Sequence, residues 1–271
     1  MQSKSKNGVW VLHPFWQIAG VFFTAGILSA LLYFYQIRAN AGGENPWIYT
    51  ILLFFAVSLF YSFDHIFDEL KFNRNNATKR QSLLWNSGVF VFCGLALGGY
   101  TWWEQRNINF ENLWLPLLLT FLYFLVVLIL KLKIRAFKEL LIAAVVSMAI
   151  FYPQAVIHGW ASLKIQILHL FLVCVLNLMV FGFFEKEKDE EFGFSTIFSG
   201  LPDRLVKTIL LVVFGAIFLF QAYYFLIVNS EIKPVFYCTG FYSAMLLFPK
   251  AFRFKRNYRF IADAALLLLL L

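Results

Sequence analysis

Long apolar runs separated by short charged loops dominate this chain, and that pattern leaves it one fold class. About 20 apolar residues are needed to cross the hydrocarbon core of a bilayer. By that ruler the sequence holds runs near 15–37, 47–63, 83–103, 113–130, 139–157, 165–184, 208–228 and 235–249. A ninth run starts near 260 and has 12 residues before Leu271. At 1.5 Å per residue it reaches roughly 18 Å, a partial crossing. The expected fold is all-α: a polytopic membrane helix bundle of about nine helices, with residues 1–271 as a single transmembrane domain.

Composition agrees. Charged residues are 14% of the 271 and apolar ones 61%, against about 25% charged in a soluble domain. The net charge of +8 would suggest nucleic acid in a soluble protein, but here the cations sit in short loops and read as topology signals. The partner they point to is the lipid bilayer, not nucleic acid, and nothing in the sequence calls for an obligate protein partner. Cys93, Cys174 and Cys238 are widely spaced within apolar runs, as buried small hydrophobes are. The first apolar run exceeds a signal-peptide core and lacks a small-residue cleavage site, so it is expected to stay as an anchor.

The cations also set orientation. Nineteen of the 23 Lys and Arg fall in the N-terminal stretch and every second loop after it, leaving Arg38, Arg106, Lys164 and Lys233 on the other side. The positive-inside rule then predicts a cytoplasmic N-terminus in an inner (cytoplasmic) membrane. Trp47, Trp102, Trp103, Trp114 and Trp160 lie near run ends as interfacial anchors. Gly94 and Gly98, four apart, suit close helix packing.

Two runs end in acid. The run at 47–63 leads into Asp64-His-Ile-Phe-Asp68-Glu69, and the run at 165–184 into the charged stretch Glu185 to Glu191. Four spans separate the two, so both fall on the cytoplasmic side. Carboxylates at the mouth of a membrane helix are costly unless something cationic sits with them. Asp64 and Asp68 are four apart, as are Glu185 and Asp189, so each pair shares one face if its helix continues. Two such pairs would supply hard oxygen ligands for Mg²⁺, which favours carboxylates together with substrate phosphates. That suits a substrate with a diphosphate head and an apolar tail. The plainer reading is solvated loop charge, which is preferred for Glu69, Glu187, Glu190 and Glu191.

Lys79, Arg80, Arg135 and Lys138 lie nearby in sequence order and could meet a diphosphate, which Arg binds bidentately. Their membrane-topology role also accounts for them. Asn177, two turns before Glu185, could face a cavity or form an interhelical hydrogen bond. Tyr61 and Tyr152 are further polar groups in the spans. Asp263 is expected to pair with Arg259, one turn away. His13, His65, His158 and His169 have no metal-ligand spacing.

These residues resemble the UbiA superfamily of intramembrane prenyltransferases, nine-helix bundles with aspartate-rich motifs after the second and sixth helices. The second family motif, D-x-x-x-D before a G-x-x-S-T stretch, is similar to Glu185-Lys-Glu-Lys-Asp189 followed by Gly193-Phe-Ser195-Thr196. In the first, N-x-x-x-D-x-x-x-D, Asp64 stands at the Asn, Asp68 at the first Asp and Phe72 at the last Asp. Arg80 resembles the Arg that follows, with Gln81 in place of the usual Pro. The DHxxD form is similar to a divergent bacterial branch. The topological likeness spans the chain, while the residue match covers about thirty positions. Phe72 removes one ligand.

The resemblance implies a Mg²⁺-dependent transferase of isoprenoid and quinone chemistry. A prenyl group would pass from a polyprenyl diphosphate to an aromatic or other lipophilic acceptor. Asp64, Asp68, Glu185 and Asp189 would hold metal and diphosphate, with Arg80 assisting, and aromatic faces would line the pocket of the allylic cation. Two alternatives stay open. One is a terpene cyclase of the same fold, and the other a non-catalytic protein that binds or transports prenyl lipids, motivated by Phe72.

Overall fold

The computed structural model describes residues 2–4, 10–12, 14–38, 46–71, 77–104, 114–125, 135–191, 198, 200–227, 233–252 and 258–270. Strands β1 (Gln2–Lys4) and β2 (Trp10–Leu12) pair antiparallel, with Gln2 opposite Leu12. Helices follow: α1 Pro14–Arg38, α2 Trp47–Lys71, α3 Ala77–Trp103, α4 Trp114–Phe124, α5 Arg135–His158 and α6 Lys164–Glu191. After them come α7 Asp203–Ile227, α8 Lys233–Leu247, α9 Pro249–Phe252 and α10 Tyr258–Ala265, which tightens into a 3-10 turn over Leu266–Leu270.

Helix is the solution lipid demands, because each backbone N–H and C=O must be satisfied within its own segment. Several small hydroxyls in the spans obey the same rule, although the buried Ser29 and Ser58 Oγ have no partner among the described residues. Ser62 donates to Ser58 O, Thr101 to Leu97 O and Ser147 to Ala143 O, each one turn back along its own helix. Helices α1, α2, α3, α5, α6 and α7 are each long and apolar enough to cross a membrane. The chain is therefore a helical membrane protein. Each expected run falls on a helix, but α4 has 11 residues and α8 has 15, short of a crossing. The remainder of the run expected near 113–130 lies outside the described residues beyond position 125. The strand pair was not expected from the apolar runs, although Asn7-Gly8 between the strands is a hairpin signal.

The chain forms two compact units. One holds Met1–Tyr33 and Gly42–Ile108, the other Phe34–Ala41 and Asn109–Leu271. In the first, α2 packs on α3 through Phe55 on Phe92 and Phe63 on Phe90, with centroids 6.4 and 5.9 Å apart. Phe22 of α1 stacks on Phe54 of α2. Gly94 makes the close approach expected of it, since a Cβ there would lie 3.2 Å from Leu59 Cδ1. Gly98 does not, having nothing within 4 Å, so the expected two-glycine seam is one glycine wide.

In the second unit α6 is the central helix, with α5, α7, α8 and α10 packed against it. Its buried face includes Val173, Leu176, Val180, Phe183 and Phe184. The turn from α5 into α6 passes through Gly159 at φ +75°, a left-handed conformation that glycine adopts without strain. Gln154 donates to the Tyr35 carbonyl at 2.7 Å, tying the end of α1 to α5. Exposed Leu211, Val212, Leu219, Leu226 and Ile227 give α7 an apolar outer face suited to lipid. All three cysteines are free and buried, as expected.

Candidate functional site

Both acidic runs lie on helix. Helix α2 continues through Asp64 and Asp68 to Lys71, and α6 continues through Glu185 and Asp189 to Glu191. Each pair, four residues apart, therefore shares one helix face. Glu and Lys extend a helix well, and Lys186 and Lys188 interleave with the acids of α6. Asp68 and Asp189 lie within the last described turn of each helix, where a C-terminal dipole would disfavour negative charge, whereas Asp64 and Glu185 lie further in.

The best-described acidic side chain is Glu185. Its side chain is 5% exposed, and Arg259 of α10 forks onto it, Nε to Oε1 at 2.6 Å and Nη2 to Oε2 at 2.7 Å. Tyr258 donates its hydroxyl to Oε1 at 3.0 Å, and its ring stacks on Phe184 at 5.1 Å. The Arg259 guanidinium also lies 5.9 Å from the Phe181 ring centre. A buried carboxylate without a partner is very costly, and a bidentate guanidinium with a phenol answers that cost. The Glu185 charge in turn pushes the Arg259 guanidinium above its already high ordinary value.

This arrangement corrects one expectation. Arg259 gives its hydrogen bonds to Glu185, not to Asp263 one turn along its own helix. Asp263 accepts instead from Asn177 Nδ2 at 3.1 Å, both side chains being buried. Asn177 thus makes the interhelical hydrogen bond weighed for it, while its Oδ1 has no partner among the described residues. Two further ties hold this C-terminal segment: Tyr242 donates to Ala262 O at 3.0 Å, and Cys238 to Ala265 O at 3.1 Å. Carbonyls at a helix end inside a membrane need such donors.

Lys186, counted by sequence among the loop cations, is instead a buried anchor. Its Nζ donates to Asp203 Oδ1 at 2.7 Å, at the start of α7, and to the Leu201 carbonyl. Phe198 packs in the same region against Gly182, where a Cβ would stand 3.3 Å from the ring. Lys207 lies 6.0 Å from the Phe183 ring centre.

Asp64 is half-buried on α2, and Arg80 is exposed on α3. The side chains of Asp68, Lys79, Arg135, Lys138 and Asp189 lie outside the described residues, although each position is on helix α2, α3, α5 or α6. Phe72 and the Gly193 to Thr196 stretch also lie outside them. Asp64 and Asp68 belong to the first unit, Glu185 and Asp189 to the second. Among the described residues no group of three or more His, Cys, Asp or Glu is placed to hold a metal ion. Glu185 itself does not fit a Mg²⁺ ligand here, since both its oxygens accept from a guanidinium that would repel the metal.

Sequence reading missed the roles of Arg259, Tyr258 and Lys186. No protein-family model, curated protein or solved structure matches the chain.

Proposed function

We propose that this membrane protein is a Mg²⁺-dependent prenyltransferase of the UbiA type, acting on a polyprenyl diphosphate and a lipophilic, in the first instance aromatic, acceptor. The observation that carries the reading is the continuity of α2 and α6 through their acidic pairs. Each membrane-length helix brings carboxylates four residues apart onto one face, just beyond its apolar run. Glu185 has its cation in Arg259, and for the remaining acids a Mg²⁺ carrying a diphosphate would supply one.

The candidate metal ligands are Asp64 and Asp68 on α2 and Asp189 on α6, with Arg80 the candidate for the phosphates. When bound, Mg²⁺ neutralises charge on the departing diphosphate. The allylic C–O bond breaks, its electron pair leaves with the diphosphate, and an acceptor carbon bonds to the cation and then loses a proton. The positive-inside asymmetry supports a cytoplasmic-face site in an inner membrane.

The Arg259 fork on Glu185 favours a second reading, a protein that binds prenyl diphosphates without consuming them, because it removes one of four candidate ligands. Mass spectrometry of products separates the cases. Purified protein with geranylgeranyl diphosphate should yield a prenylated acceptor only when an aromatic acceptor is present. A cyclised hydrocarbon or alcohol formed without acceptor would point to a cyclase, and tight binding of unconsumed substrate to the non-catalytic reading.

A further inference from the structure

We infer that Arg259 is a phosphate-binding residue at the membrane face, and that Glu185 is its positioning residue, not a metal ligand. The inference deepens the reading above and rests on it for the identity of the phosphate.

The geometry of the fork carries it. A guanidinium has five N–H donors. Glu185 takes two of them, one from Nε and one from Nη2. Of the remaining three, the second on Nη2 and one on Nη1 share the end edge of the guanidinium, and no hydrogen bond joins them to an acceptor among the described residues. Exposure follows the same polarity. The Arg259 side chain is 45% exposed and that of Glu185 5%, so the pair is closed on the carboxylate side and open on the guanidinium side. The Phe181 ring, the Tyr258 hydroxyl on Glu185 and the stacking of Tyr258 on Phe184 hold the fork in place. A fixed planar edge with several donors matches two phosphate oxygens, which a lone lysine could not do.

Position and charge fit the same ligand. The apolar run of α6 ends at Phe184, one residue before the fork, so the open edge stands where a head group meets its tail. Arg259 also closes a run of five cations, Lys250, Arg253, Lys255, Arg256 and Arg259, that contains no acid. The ligand class is a phosphate-bearing amphiphile. The phosphate could come from a prenyl diphosphate or from an acidic phospholipid, and the experiment separates the two sources.

The test is equilibrium binding of farnesyl thiodiphosphate, an unreactive analogue, to full-length protein in phosphatidylcholine nanodiscs across a Mg²⁺ titration. Arg259→Lys keeps a cation against Glu185 but removes the planar edge; compared with wild type at assay temperatures equally far below each melting temperature, it should weaken binding about tenfold. Glu185→Gln should weaken it similarly and leave the half-saturating Mg²⁺ concentration unchanged. The double variant should be no weaker than the weaker single, because Glu185 acts through Arg259. A raised Mg²⁺ requirement in Glu185→Gln, with Arg259→Lys at wild-type affinity, would overturn the inference and restore Glu185 as a metal ligand.

A second arm replaces part of the phosphatidylcholine with phosphatidylglycerol and measures lipid retained on the protein. Loss of phosphatidylglycerol preference in Arg259→Lys, with thiodiphosphate affinity intact, assigns the phosphate to lipid. No effect in either arm overturns the site. Should wild-type protein bind no thiodiphosphate at all, the prenyltransferase reading fails, and the lipid arm still decides the role of Arg259.

Discussion

Asn177 and Asp263 meet through a hydrogen bond of 3.1 Å, Nδ2 to Oδ1, that joins the buried face of α6 to the short helix α10. With Glu185–Arg259 it forms two polar staples along one seam, two helical turns apart on α6. An eight-residue helix cannot cross a bilayer, so its docking depends on such contacts more than on length. Asn177→Leu should lower the melting temperature in detergent, costing about 1–2 kcal/mol as the buried carboxyl loses a donor. Asp263→Asn retains an acceptor for Asn177 and should cost less. Equal losses in thermal unfolding would show that the hydrogen bond is not what matters at this seam.

The Lys186–Asp203 bridge is asymmetric, since the lysine is buried and the aspartate exposed. Removing the buried charge with Lys186→Met should be nearly neutral, because an apolar chain of similar length replaces it. Asp203→Asn leaves the ammonium in place with a weaker partner and should cost about 1 kcal/mol or more. Hydrogen exchange in the first turn of α7 should rise in Asp203→Asn above its level in Lys186→Met. The reverse order would contradict a buried-anchor role for Lys186.

Two glycines should respond oppositely. Gly182→Leu must displace the buried Phe198 ring, which already stands 3.3 Å from a modest Cβ, and should destabilise by about 1–3 kcal/mol. Gly98→Ala meets nothing within 4 Å and should be neutral or stabilising by up to about 1 kcal/mol through helix propensity. Melting curves of the two variants check the pair.

The helices were legible because a bilayer imposes a length and a composition that apolar runs display directly, and each expected run falls at least in part on a helix among the described residues. The ends of α2 and α6 were legible only in part. Hydropathy stops at Phe63 and Phe184, whereas the helices run on at least to Lys71 and Glu191, because charged Glu and Lys sustain a helix beyond the lipid. This difference turns Lys186 from a loop cation into a buried anchor. The partner of Glu185 was not legible at all. Arg259 lies 74 residues away, and local spacing offered Asp263 as a nearer match. Both carboxylates are buried, so the choice rests on where the packed helices bring the side chains, which one-dimensional spacing does not record. The strand pair carried its signal in Asn7-Gly8, which a reading by apolar runs passes over.

The most direct measurement is Mg²⁺-dependent release of pyrophosphate from purified protein supplied with farnesyl or geranylgeranyl diphosphate and a panel of aromatic acceptors. The account predicts release that stops with EDTA and falls by about a hundredfold or more in Asp189→Asn, with that variant still inserted and folded. Release at the wild-type rate from both Asp189→Asn and Asp68→Asn would contradict it, since the acidic ends of α2 and α6 would then play no part in the reaction.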